Sequence, residues 1–235
     1  MTALRARGLR KAFGDVQALD GMSLSVEAGE LFGFLGANGA GKTTTIRILT
    51  GQLRPDGGDA EVLGVDPTVD PVGVRRRIGV LPEQESPPSF LTPREYFSFV
   101  GAVRGLEDGT VDERVAAWAD RLSYEGKLDT LCADLSRGQQ QKVMITQAFL
   151  HEPAAVFIDE PLVNLDPVMQ ERAKAFLRDY RDAGNALFVS THHVEVAAEL
   201  CDRVGIVSEG RLRVERRPSA FDDPSALLDE FLAAA

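Results

Sequence analysis

The stretch Leu31-Phe-Gly-Phe-Leu-Gly36-Ala-Asn38-Gly39-Ala-Gly41-Lys42-Thr43-Thr44 decides the fold. Leu31 to Leu35 form a short apolar run, as expected of a strand buried in a parallel sheet. The residues that follow fit G-x-x-x-x-G-K-[ST], and a helix is predicted from about Lys42 to Gly51. Strand, glycine loop and helix in that order make a phosphate cradle. Glycines let backbone N–H groups curl around phosphate oxygens without Cβ clashes. The helix start adds a positive partial charge. Lys42 is placed to reach the β- and γ-phosphates, and the Thr43 hydroxyl to ligate Mg²⁺.

A Mg²⁺-dependent phosphate site wants a carboxylate at the end of a neighbouring strand. The run Ala154-Ala-Val-Phe-Ile-Asp159-Glu160 supplies one. Asp159 ends the apolar strand and is expected to hold the metal through its water shell. Glu160 follows and points elsewhere, as adjacent residues do at a strand end. A carboxylate there can orient or deprotonate an attacking water.

Outward from these two motifs the chain alternates strand and helix. The N-terminal part reads as short strands, with Met22-Ser-Leu-Ser-Val26 alternating at period two. Ile78 to Leu81, Ala155 to Ile158, Ala186 to Val189 and Val204 to Val207 read as buried strands, with a helical pattern from Pro167 to Ala183. From Thr92 to about Leu150 the pattern is helix after helix. Thr92 can N-cap the first of these, Pro93 suits the first helical position and Glu95 can close a capping box. The economical reading is a parallel sheet interrupted by a helical insertion. The boundaries are 1–86 and 151–235 for a core lobe and 87–150 for the insertion, within one domain.

Composition narrows the class. Twenty-six Lys and Arg against 36 Asp and Glu give a net charge of −10, which argues against non-specific nucleic-acid binding. No run of about 18 apolar residues spans a membrane, and the N-terminus lacks a signal-peptide pattern. Cys132 and Cys201 lack metal-site spacing, which fits a reducing cytosol. Arg75-Arg76-Arg77 reads as a solvated face, and Ala226 to Leu232 as a short amphipathic helix packed on its own domain.

At this point the chain resembles the ATP-binding cassette ATPases, the nucleotide-binding subunits of ABC transporters. The resemblance covers nearly the full length. Leu135-Ser136-Arg137-Gly138-Gln139 looks like the family signature LSGGQ, with Arg137 where glycine is commoner. On the residues alone, Ser136 can N-cap a helix, with Gln139 in the capping-box position. The resemblance implies that Ser136, Gly138 and Gln139 contact the γ-phosphate held by the opposite subunit. Leu165-Asp166 resembles the family's D-loop, with Asn164 replacing glycine; Asn tolerates left-handed backbone. Asp166 equally suits a helix cap ahead of Pro167. Ser190-Thr191-His192-His193 follows a strand, and the resemblance implies that His192 reaches the γ-phosphate while His193 starts the next helix, facing solvent. A family glutamine falls at Glu83 or Gln84, with Gln84 preferred because a neutral amide binds Mg²⁺ without adding charge. Phe13 is the candidate for stacking on adenine, against simple core packing.

The resemblance implies an α/β phosphate-loop NTPase (RecA-like) fold: a mixed sheet, antiparallel N-terminal strands and an inserted helical subdomain. It implies ATP and Mg²⁺ as ligands, catalysis by Glu160, His192 and Lys42, and nucleotide contacts from Phe13, Gly36, Asn38, Gly39, Gly41, Lys42, Thr43 and Thr44 with Ser136, Gly138, Gln139 and Asp166. Thr43, Asp159 and Gln84 are the expected metal ligands. It implies a head-to-tail homodimer or heterodimer driving a separate integral-membrane permease from the cytoplasmic face of the cell membrane, with no nucleic acid. Leu91 to Tyr96 and the short chain look like exporter-type cassettes. The rival readings are a soluble cassette ATPase acting on ribosomes or DNA, which usually shows tandem cassettes, coiled coils or basic arms, and a GTPase or small-molecule kinase, for which a guanine-reading N-K-x-D motif is missing.

Overall fold

The computed structural model describes residues 1–83, 86–160, 162, 164–218, 228 and 231–232. Two antiparallel strands open the chain, β1 (Thr2–Phe13) and β2 (Val16–Glu27), followed by β3 (Leu31–Gly36) and α1 (Lys42–Leu49). Next come β4 (Gly57–Val62), α2 (Pro71–Arg77) and β5 (Ile78–Leu81). Three helices follow, α3 (Pro93–Arg104), α4 (Asp108–Leu122) and α5 (Arg137–Phe149), with short 3₁₀ turns at Glu125–Lys127 and Cys132–Asp134. The remainder is β6 (Ala155–Asp159), α6 (Pro167–Asp182), β7 (Ala186–Thr191), α7 (Val194–Leu200), β8 (Arg203–Ser208) and β9 (Arg211–Arg216).

The N-terminal strands are not short: β1 and β2 run 12 residues each. Register shifts at four places in their pairing break the period-two pattern, which is why the alternation is legible only from Met22 to Val26. The Gly57-Gly58 start of β4, which the sequence pattern does not mark as a strand, pairs antiparallel with β1.

The sheets lie in the order β2-β1-β4 and β5-β6-β7-β3-β8-β9. In the larger sheet β5, β6, β7, β3 and β8 are parallel and β9 is antiparallel. Both faces of this sheet are buried, so its strands alternate between two cores. Phe32, Phe34, Phe157 and Phe188 face α1 and the small sheet, with Phe34 and Phe188 centroids 5.0 Å apart. Leu31, Leu35, Val156, Ile158, Leu187 and Val189 face the helices. Phe97 of α3, Val115 of α4 and Val143 of α5 belong to that same continuous core. The inserted helices therefore share a core with the sheet, and burying their apolar stripes supplies most of their stability.

Local signals act as expected in this region. Thr92 accepts from the Glu95 N–H and the Glu95 carboxylate accepts from the Thr92 N–H, completing the capping box. Cys132 and Cys201 are buried free thiols. Arg75, Arg76 and Arg77 are exposed in the last turn of α2. Of the predicted C-terminal helix only Leu228, Phe231 and Leu232 fall among the described residues, and Phe231 packs against the core.

Candidate functional site

Parallel pairing puts the C-terminal ends of β3, β7 and β6 on one sheet edge. Leu35 pairs with Thr191, and Asp159 pairs with Ser190. Ligands of open α/β sheets bind at this edge. With β7 between them, β3 and β6 lie about 9.5 Å apart at normal strand spacing.

The glycine loop leaves β3 at Gly36 and enters α1 at Lys42. Gly41 has φ 103°, and a Cβ there would sit 2.7 Å from the Ala18 carbonyl oxygen, so only glycine fits. The Thr45 N–H is bonded to the Gly41 carbonyl. The N–H groups of Lys42, Thr43 and Thr44 precede the first possible intrahelical acceptor and are left for an anion. Lys42 is buried, its Nζ donating to the carbonyls of Gly36 at 2.6 Å and Ala37 at 3.1 Å. Burial pushes the Lys42 ammonium pKa down, while the carboxylates of Glu160, Asp159 and Glu83 pull it up. An ammonium held this way gains when a phosphate supplies negative charge.

Asp159 accepts a hydrogen bond from Ser190 Oγ across the β6–β7 pair. Burial raises its pKa and the Glu160 charge adds to this; hydrogen bonds from Ser190 and Thr43 and the Lys42 charge act against it. The Thr43 hydroxyl and the Asp159 carboxylate thus meet, although one comes from the first turn of α1 and the other from the end of β6. These are hard oxygen donors suited to Mg²⁺.

Glu160 points away from Asp159, as expected. Its φ of 55° turns the chain sharply after β6, and it is 4% exposed. Thr191 Oγ1 donates to its Oε2 at 2.9 Å, and the His192 N–H donates to its Oε1 at 2.9 Å. His192 Nδ1 lies 2.6 Å from the same Oε1. Ser190 and Thr191 hold the two carboxylates; the Ser190 to His193 segment marks them only as neighbours of the histidines, and the β6–β7 register identifies this role.

Ser136 caps α5 through a complete capping box with Gln139. Gln147 of α5 lines a cleft of about 290 Å³ with Thr43 and Asp159. Ser136 lies 11 residues earlier, about 16 Å along the helix. It is exposed. A Cβ at Gly138 would lie 3.0 Å from the Asn164 carbonyl, so the α5 start and the turn before α6 touch. Asn164 has φ 64°, the left-handed geometry expected of it. Asp166 caps α6, accepting from the Met169 N–H at 3.0 Å. The α5 start, with Ser136, Gly138 and Gln139, thus packs beside the turn that leads to Asp166.

Phe13 is 51% exposed at the end of β1, with Lys11 Nζ 5.6 Å from its ring centre. It is therefore not a core residue. Gly36 and Gly39 lie in the loop with Asn38, which is exposed. Glu83 is exposed, and Gln84 lies outside the described residues. The same cleft is also lined by Tyr96 and Arg104 of α3, which no motif marks.

The family model for the ABC transporter matches residues 19–163. The chain is 36% identical over 213 residues to the daunorubicin/doxorubicin resistance ATP-binding protein DrrA of Streptomyces peucetius, covering 91% of this chain and 64% of that protein. It is 34% identical over 225 residues to the SkfA peptide export ATP-binding protein SkfE of Bacillus subtilis, covering 95% and 92%. A solved ATP-binding subunit of an ABC transporter superposes with a TM-score of 0.89 at 28% identity, over 98% of both chains. With its phosphate loop, paired carboxylates and capped signature helix in one order on one fold, this chain belongs to the ABC transporter family of ATP-binding cassettes.

Proposed function

We propose that this chain is the ATP-hydrolysing subunit of an exporter-type ABC transporter, working as a head-to-tail dimer around two ATP molecules. The observation that carries this is the division of the site. Lys42, Thr43, Asp159, Glu160 and His192 gather at one sheet edge, while Ser136 lies exposed at the start of α5, about 16 Å along that helix from Gln147, which lines the cleft with Thr43. A second subunit turned head to tail brings its Ser136 segment to the first subunit's phosphates. The chain then reads as a core lobe, 1–86 and 151–235, with an inserted helical part, 87–150, that faces the partner's loop.

Each residue has a task in this reading. Lys42 exchanges its two loop carbonyls for phosphate oxygens, and the first-turn N–H groups of α1 bind the same phosphates. Phe13 stacks on the base. Thr43 and Asp159 would hold Mg²⁺, joined by Glu83 or Gln84; bound there, the ion neutralises phosphate charge. Glu160, fixed by Thr191 and His192, takes the proton of the water that attacks the γ-phosphorus as the bond to the β-phosphate oxygen breaks. ATP favours the closed dimer because it touches both subunits, and hydrolysis removes that preference.

Among the described residues no helix is long and apolar enough to cross a membrane. In this reading the chain works with a separate permease, lying at its cytoplasmic face with the permease seated in the cleft near Tyr96 and Arg104. Co-purification with a multi-span membrane protein encoded by the neighbouring reading frame tests this. Stoichiometric recovery with that protein, and ATPase activity altered by it, is the expected result. Recovery with RNA or ribosomal proteins instead would overturn the transport reading.

A further inference from the structure

His193 has no task in hydrolysis, but its imidazole sits against the site. It occupies the N-cap position of α7, and its ring stacks on His192 with centroids 4.0 Å apart at 38°. One donor atom each from Glu160, His192 and His193 lies within 4.8 Å of the others. His193 and Glu160 also line a shared pocket of about 330 Å³ with Thr191, Asn164 and Gln170. Two imidazoles and one carboxylate are the protein ligands of an open zinc site, which keeps water in the fourth position. Mg²⁺ avoids such nitrogen donors, so the set selects a transition-metal dication.

The geometry suits capture from solution. Glu160 is buried and pinned by Thr191 Oγ1 and the His192 N–H, the outer support that orients a metal-binding carboxylate. Both imidazoles are exposed. Zinc bonds of 2.0–2.1 Å put ligand atoms about 3.4 Å apart. The 2.6 Å contact of His192 with Glu160 must open and the 4.8 Å limit must close, and small turns of the two rings do both. We propose that Glu160, His192 and His193 form a site for a Zn²⁺-type dication, and that its occupation arrests hydrolysis by engaging the Glu160 carboxylate. The arrest rests on the role of Glu160 proposed above; the metal site does not.

The test titrates Zn²⁺ alone into nucleotide-free, Mg²⁺-free protein in competition with a chromophoric chelator. Wild type should bind one ion per chain, and His193→Ala should bind it roughly tenfold or more weakly. His193→Asn serves as a second variant, and circular dichroism checks that both fold. Zinc-edge X-ray absorption should show imidazole ligation. Sulfur ligation, no binding by wild type, or equal affinity in wild type and variants overturns the site. In Mg²⁺-ATP, His193→Ala should turn over as wild type does but resist zinc. A zinc-loaded wild type running at full rate overturns the arrest. If wild type hydrolyses no ATP but loses zinc with His193→Ala, the site stands and the proposed function fails.

Discussion

Replacing Glu160 with glutamine tests the hydrolytic reading most directly, because the structure separates its effect on chemistry from its effect on folding. Glu160 accepts from Thr191 Oγ1 and the His192 N–H and lies beside the His192 ring. A glutamine in the same rotamer keeps one oxygen for the His192 N–H. Its amide then donates to Thr191 Oγ1, since a hydroxyl both gives and accepts. The net change in hydrogen bonding is small, and stability should fall by no more than about 1 kcal/mol. ATP binding should persist, because Lys42 and Thr43 are untouched. Losing the Glu160 charge also removes one influence that raises the Asp159 pKa, so Asp159 ionises more readily and metal binding is not weakened.

Loss of a general base lowers turnover by about 10² to 10⁴, or about 3 to 5 kcal/mol of barrier. Phosphate release at saturating Mg²⁺-ATP measures this, and light scattering after size exclusion should show ATP-bound dimer accumulating. Turnover within about a factor of two of wild type, far short of the loss expected for a missing base, would refute Glu160 as the base. A variant that loses ATP binding would refute the separation of its role from that of Lys42.

Ser136→Arg should leave ATP affinity unchanged and abolish ATP-driven dimerisation, because in the proposed dimer the exposed Ser136 meets the partner's phosphates; light scattering with and without ATP reads this out, and normal dimerisation would remove the shared site. Tyr124→Phe deletes a buried hydrogen bond of 2.7 Å to Thr146 Oγ1 and should cost about 1 kcal/mol in urea unfolding. His151 is pushed down to about 4, first by burial and then by the Arg104 charge. The unfolded chain therefore binds more protons than the native one between about pH 6.5 and 4, and stability falls as pH drops through that window. His151→Gln should flatten this part of the stability–pH curve, and an unchanged slope would refute the assignment.

Much of the fold was legible because its signals are local. The Gly36 to Thr44 loop, the Thr92–Glu95 and Ser136–Gln139 capping boxes, the left-handed Asn164 and the Asp166 cap each depend on residues within a few positions. Each takes the expected form. The lengths of β1 and β2 were hidden because irregular pairing breaks the alternation that sequence reading relies on. Ser190 and Thr191 went unnoticed as supports because nothing near them in sequence says which strand lies alongside.

Sequence alone determined the kind of chemistry: a phosphate cradle, a carboxylate pair and a capped signature helix each require particular side chains at fixed spacing. Tertiary structure decided how these meet. Strand order set Asp159 beside Ser190 and brought Thr43 to the same carboxylate. The length of α5 set Ser136 about 16 Å along the helix from the Gln147 end that lines the cleft, and the turn at Glu160 swung its carboxylate toward two histidines. Distances between residues far apart in the chain follow from register and packing, and those are fixed only when the whole core is assembled.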